Sequence, residues 1–301
     1  MIQSILDTIY KTHPTQEKKI EEYFRESPDA KQDLANFLEM YKPFMDKEAI
    51  TDVQLADAYS EMVSQMMYCR VQFLRSGEYL STDQQEAFEN VYNDKATMSQ
   101  YMFGAALSQF LWKSHHKLLN FYKEHIDAAP KSGNFLEVGC GHGLYVNYVL
   151  QHLDQNGTID VVDISDTSIH LAKNIMATVN PDNADRVNFI KSDVNLFRTD
   201  TKYDFIGMGE VLEHVDDPLS VLRVLRNLMS DDARFFMTTC ANCPTIDHVY
   251  LFNDVKEIRA LIREAGLEIE TDIVLPSENK PQDYLEKHKV DISYGAILKK
   301  G

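Results

Sequence analysis

The chain has 301 residues, a formal net charge of −17, and ordinary shares of apolar (44%) and charged (26%) residues, so its length can bury one large core or two modest ones. No apolar run approaches the roughly 18 residues of a membrane span, and the start MIQSILDTIYK lacks the basic and apolar segments of a secretion signal. No Lys/Arg cluster offers phosphates a counter-charge, which argues against nucleic acid as a partner, and the expected location is cytoplasmic.

The first 130 residues read as helices. Only two of the twelve glycines, Gly77 and Gly104, fall there. Residues 48–75 bring Val53, Ala56, Tyr59, Val63, Met66, Met67, Cys69 and Phe73 close to helical spacing. Ser81, Thr82 and Asp83 offer a capped start for a helix through Glu86, Phe88 and Val91, and an aromatic-rich helical stretch follows over 97–125. This part holds 18 of the 31 aromatic residues, which suits helices packing on one another with a few rings left to line a pocket.

From residue 133 the pattern becomes strand, loop, helix, repeated. Short β-branched runs occur at 134–138, 158–163, 186–191, 203–208 and 233–239, with helical patterns between them. That alternation predicts βαβ units on a parallel sheet. Asp217–Pro218 reads as a helix cap followed by Pro at the first helical position, and Ala265–Gly266 as a helix end. The tail 289–299 reads as a final strand, at the edge of the sheet or inside it. The expected fold is α/β, a doubly wound, mostly parallel seven-stranded Rossmann-like sheet with an N-terminal all-helical cap. The expected boundary separates a cap over 1–130, a lid and possible dimerisation region, from a catalytic domain over 131–301.

Four cysteines are present, two of them as Cys240 and Cys243 in a CxxC spacing. A zinc ribbon needs a second such pair, and a redox motif would open a helix after the first strand. Neither context occurs, so reduced cysteines and no metal are expected.

The first strand runs into Glu137, Val138, Gly139, Cys140, Gly141, His142 and Gly143. A ligand across the carboxyl end of a parallel sheet needs close backbone approach, which alternate glycines allow. The dinucleotide fingerprint wants its third glycine at position 144, which is leucine, and the glycines alone leave the cofactor open. The acids that follow narrow it. Asp163 ends the second strand, where a carboxylate can accept from both hydroxyls of a ribose. Asp193 follows the third strand, within reach of an adenine amino group, and Glu210 follows the fourth.

These residues resemble a known family. LEVGCGHG at 136–143, VVDIS at 161–165, SDV at 192–194, GEVLEHVDDP at 209–218 and DHVYLFNDVKEIRALIREAGLE at 247–268 are similar to the core of class I S-adenosylmethionine-dependent methyltransferases, in particular the small-molecule branch of ubiquinone-biosynthesis type. The resemblance covers about half the chain and is silent on residues 1–130. It implies that S-adenosylmethionine is the cofactor. Gly139, Gly141 and Gly143 would bring backbone to its methionine part, Asp163 with Ile164 would hold the ribose, and Asp193 with Val194 would read the adenine. Gly209 and Glu210 would face the sulfonium, and Glu137 would order the loop or reach the amino group through water. Similar enzymes close over the cofactor with an N-terminal tyrosine, and Tyr92 or Tyr101 could play that part through cation–π attraction.

A methyl acceptor can need a base. His214, His248 and Glu210 are the candidates, with Glu213 beside them, and the His115–His116 pair on a cap helix is a weaker one. The expected function is methylation of a small molecule at oxygen, nitrogen or carbon. The alternatives are attack on the cofactor's aminocarboxypropyl arm, releasing methylthioadenosine, and a non-catalytic cofactor-binding protein.

Overall fold

The computed structural model describes residues 1–81, 83–87 and 95–301. Among the described residues seven helices come first: α1 (Ile2–Thr12), α2 (Pro14–Glu26), α3 (Pro28–Lys47), α4 (Asp52–Ser76), α5 (Gln84–Ala87), α6 (Lys95–Leu111) and α7 (Lys113–Ile126). Pro14 and Pro28 sit at the first positions of α2 and α3, where a missing N–H costs nothing and the preceding helix is forced to stop. Thr51 and Gln54 form a reciprocal capping box at the start of α4, and Gly77 at φ 80° ends it. The aromatic stretch expected as one helix over 97–125 is two, broken at Trp112, whose extended backbone precedes α7. One face of α4 keeps Met67, Tyr68, Val71 and Leu74 at the surface.

The second part alternates strands and helices as expected. The strands are β1 (Asn134–Val138), β2 (Thr158–Asp163), β3 (Val187–Lys191), β4 (Tyr203–Gly209), β5 (Met229–Ala241), β6 (Leu267–Pro276) and β7 (Ile292–Lys300). The helices between them are α8 (Leu144–His152), α9 (Asp166–Val179), α10 (Pro218–Leu228), α11 (Val255–Glu264) and α12 (Gln282–Lys287). They build one seven-stranded sheet in the order β3-β2-β1-β4-β5-β7-β6. The first five strands are parallel, and β7 runs antiparallel between β5 and β6. The tail strand thus lies inside the sheet.

Strand order reverses between β1 and β4, and the carboxyl ends of the strands there frame a crevice, the usual ligand seat of open α/β sheets. The helical part is welded to the sheet. A single apolar cluster runs from Ile5, Leu34 and Tyr59 to Phe135, Phe205 and Phe236. Among the described residues no helix is long and apolar enough to cross a membrane.

Candidate active site

A cavity of about 230 Å³ opens over the carboxyl ends of β1, β2 and β4, roofed by α4, α6 and α7. Its floor is the loop after β1. Gly139 and Gly143 take φ 78° and 75°, left-handed values that favour glycine, and the Gly143 N–H closes a turn on the Cys140 carbonyl at 2.7 Å. His142 caps the following helix in an unusual way: its Nδ1 accepts the Leu144 N–H at 3.2 Å, at the start of α8. That bond requires a neutral ring, and burial with His115 nearby brings the His142 pKa down to about 4.

Asp163 ties the loop to β2. One carboxylate oxygen accepts the Cys140 N–H at 2.9 Å and its thiol at 3.3 Å, and the other accepts the Ser165 N–H at 2.7 Å. Burial raises its pKa, opposed by these hydrogen bonds, which favour the anion. The oxygen that accepts from Ser165 keeps a lone pair for a further donor, whereas the one facing Cys140 already takes two. Asp193 is held in the same manner, accepting the Asn195 N–H at 2.8 Å.

Of the cofactor residues proposed from sequence, Gly139, Gly141, Asp163, Ile164, Asp193 and Val194 line this cavity, as do Gly209, Glu210 and Tyr101. Glu137 and Gly143 stand behind it. Glu137 is buried, both its carboxyl oxygens lack a hydrogen-bond partner among the described residues, and burial pushes its pKa well above the usual carboxylate range. Gly143 packs against α9 as the N-cap of α8. Tyr92 lies outside the described residues.

Past the fourth strand the chain turns sharply. Glu210 adopts φ 52°, a conformation uncommon for a residue with a Cβ, and its N–H is held by the Thr238 hydroxyl at 3.0 Å. One Glu210 carboxyl oxygen is buried without a hydrogen-bond partner among the described residues. Burial and the neighbouring Glu210 carboxylate raise the Glu213 pKa well above its ordinary value, and Glu213 also accepts the Thr239 hydroxyl at 2.8 Å.

His214 and His248 meet on the opposite wall, their rings 4.7 Å apart and edge-to-face. His214 Nδ1 lies 3.0 Å from the Asp247 carbonyl and 3.4 Å from its carboxylate. His248 Nδ1 lies 2.5 Å from the Cys243 carbonyl, so that nitrogen carries the proton. Burial and the adjacent His214 hold the His248 pKa down at about 3, and Nε2 is therefore a bare lone pair. The CxxC segment serves this corner, with the Cys240 thiol 3.9 Å from His248.

The cap contributes what sequence reasoning left out. Met62, Met66, Met98, Met102 and Trp112 line the roof, a polarizable and adaptable apolar surface. Gln109 offers a buried side-chain oxygen with no hydrogen-bond partner among the described residues. His115, a weak candidate in the sequence, lines the cavity and bonds the Ser108 hydroxyl at 2.9 Å, whereas His116 is locked between Tyr23 (2.6 Å) and Asp33 (2.9 Å) inside the cap. Asp247 was also missed, although an acid directly before His248 was a visible signal. Gln109 had none, because nothing in a helical repeat marks which face meets a sheet.

Residues 136–235 match the methyltransferase domain family. A malonyl-acyl-carrier-protein O-methyltransferase of Ilyobacter polytropus is 28% identical over 117 residues, 39% of this chain and 41% of that protein. A ubiquinone biosynthesis O-methyltransferase of Nitrosospira multiformis is 24% identical over 198 residues, 58% of this chain and 79% of that protein. The chain thus spans less than half the length of the first relative. The solved mitomycin 7-O-methyltransferase has the same fold, with a TM-score of 0.55 at 14% identity over 83% of this chain and 71% of that one. So does a solved (4+2)-cyclase, with a TM-score of 0.51 at 15% identity over 79% of this chain and 94% of that one.

Proposed function

Residues 136–235 form a class I methyltransferase domain whose cofactor is S-adenosylmethionine, and from that premise we propose that the chain methylates a small molecule with an apolar body. The observation that carries this reading is a single cavity joining the strand-end carboxylates to a thioether and aromatic roof. A cofactor with a ribose, an adenine and a charged amino acid arm fits the donors and acceptors along its floor. S-adenosylmethionine supplies a methyl group already activated on a sulfonium.

The residues then have the following parts. Asp163 accepts from a ribose hydroxyl with the lone pair its loop bonds leave unused, beside Ile164. Asp193 takes the adenine amino group, beside Val194. The backbone at Gly139 and Gly141 approaches the amino acid arm, and the buried Glu137 stiffens the strand beneath it. Tyr101 presents its ring face towards the sulfonium position. Glu210 lies between the two ends of the cavity and accepts a polar hydrogen from cofactor or acceptor.

The methionine-rich roof excludes water and adapts to the acceptor's apolar body. Its nucleophile meets the corner formed by His214, Asp247 and His248, which activates it for attack. Orientation of this kind is worth up to about 7–11 kcal/mol of the barrier.

The test supplies the purified chain with S-adenosylmethionine and with separated cell fractions. S-adenosylhomocysteine should accumulate with a low-molecular-mass fraction. Accumulation with RNA or protein fractions alone would sink the small-molecule reading.

A further inference from the structure

Two imidazoles face the cavity, one from the roof and one from the floor, and their hydrogen bonds place their protons differently. His115, in the first turn of α7, lies 2.9 Å through Nδ1 from the Ser108 hydroxyl, whose oxygen lies 2.7 Å from the Ala105 carbonyl. A carbonyl can only accept. The Ser108 hydrogen is therefore committed to Ala105, and the hydroxyl oxygen takes its second bond from His115 Nδ1–H. Burial lowers the His115 pKa, so the ring is neutral and Nε2 is a bare lone pair. His142 is the converse. Its Nδ1 accepts the Leu144 N–H, which can only donate, so the single proton of that neutral ring sits on Nε2.

We propose that His115 and His142 form a recognition site for a neutral hydroxyl group of the methyl acceptor, with His115 Nε2 taking its hydrogen and His142 Nε2–H donating to its oxygen. A positive charge on His115 would repel one on His142, so the two rings are neighbours in the same cavity. Among the described residues neither Nε2 has a hydrogen-bond partner. Gln109 adds a second acceptor to the roof, a side chain 7% exposed whose amide oxygen has no partner among the described residues.

The pair discriminates by chemistry. A hydroxyl both donates and accepts, a methyl ether brings no hydrogen, and a hydrocarbon brings neither. An ammonium would satisfy His115 but set its hydrogens against His142 Nε2–H. A carboxylate would meet the His115 lone pair and the acids Asp163, Asp193, Glu210 and Asp247, and none of the described lining residues is a lysine or arginine. The role rests on the methyl-transfer reading, in which the nucleophile meets the His214 corner. The hydroxyl held here is then a second polar group on the same apolar body.

The full chain is titrated by calorimetry, with and without S-adenosylhomocysteine, using phenol, anisole, toluene and benzoate, which share one ring and differ in its substituent. Phenol should bind at least about 10-fold tighter than anisole or toluene, and benzoate should not bind. His115→Phe keeps a ring beside Trp112, 4.7 Å away, without the lone pair, and should bring phenol to the level of toluene. Ser108→Ala is the milder variant. It frees the tautomer and should cut the preference for phenol by roughly 3- to 10-fold, with toluene unchanged. Proton–nitrogen correlation spectra of the labelled imidazoles should show His115 protonated at Nδ1 and His142 at Nε2, with the His115 Nε2 resonance moved by phenol and not by toluene. Equal affinity for phenol and toluene overturns the site, and so does a preference for phenol that survives His115→Phe or a wild-type His115 protonated at Nε2. A preference for phenol in a chain that does not bind S-adenosylhomocysteine would leave the site standing and remove the methyl-transfer reading instead.

Discussion

His214 and Asp247 are 33 residues apart in sequence, yet the imidazole Nδ1 lies 3.0 Å from the Asp247 carbonyl and 3.4 Å from its carboxylate. The contact joins the turn after β4 to the loop after β5 on the acceptor side of the cavity. His214→Ala should therefore lower turnover by about 100- to 10,000-fold while leaving the cofactor dissociation constant within about twofold. Steady-state kinetics beside calorimetry separates the two effects, and a parallel loss of cofactor affinity would move His214 to the cofactor's side.

Asp163 is placed to act on cofactor binding instead. Asp163→Ala removes the acceptor of the Cys140 and Ser165 N–H groups and, in the proposed role, of a ribose hydroxyl. Hydrogen bonds to a charged acceptor are worth about 1.5–3 kcal/mol, so affinity for S-adenosylhomocysteine should fall by roughly 10- to 100-fold. Unchanged affinity in calorimetry would take Asp163 out of the ribose role.

Tyr101 separates ring from hydroxyl. If the ring faces the sulfonium, Tyr101→Phe should keep the preference for S-adenosylmethionine over the neutral S-adenosylhomocysteine, and Tyr101→Ala should lose about 0.5–2 kcal/mol of it. Equal losses from both variants would assign the role to the hydroxyl.

His142 gives the fold an acid limit. Its folded pKa of about 4 lies below the ordinary 6.5, so the unfolded chain binds the proton more readily. Stability from this group is complete above pH 6.5 and is lost as pH falls towards 4, on the order of 3 kcal/mol across the window. Denaturant midpoints of the cofactor-free chain should drop over that range, and His142→Gln should flatten the drop. A variant with the wild-type slope would contradict it.

Gly143 tests the loop without touching the cavity. At φ 75° a Cβ costs about 1–2 kcal/mol, so Gly143→Ala should lower Tm by several degrees. An unchanged Tm would mean that the turn relaxes at no cost.

The strands before the tail were legible wherever they were buried on both faces. β1 and β4 read as short, mostly apolar runs, interrupted only by Glu137 in β1 and Asp204 in β4 after their first residues, because helices cover both sides of a parallel sheet. β6 escaped because its burial is interrupted by Glu268, Glu270 and Asp272, giving no continuous run. The lining of the cavity floor was readable for a related reason: its residues follow strands, and strand ends in sequence are strand ends in space. The acceptor corner and roof were not. Gln109, Trp112 and the methionines belong to helices that reach the sheet only through tertiary packing, and helical spacing marks an apolar face without saying what it faces. Folding brings the Cys240–Cys243 segment beside His214 and His248, a neighbourhood no local pattern encodes.

The central claim is transfer of the methyl group rather than of another arm of the cofactor. Its most direct test incubates the chain with S-adenosylmethionine labelled on the methyl carbon, together with the active small-molecule fraction, and identifies the nucleoside product by mass spectrometry. The account predicts S-adenosylhomocysteine, with the label in the acceptor. Methylthioadenosine retaining the label, or cofactor binding with neither product, would contradict it.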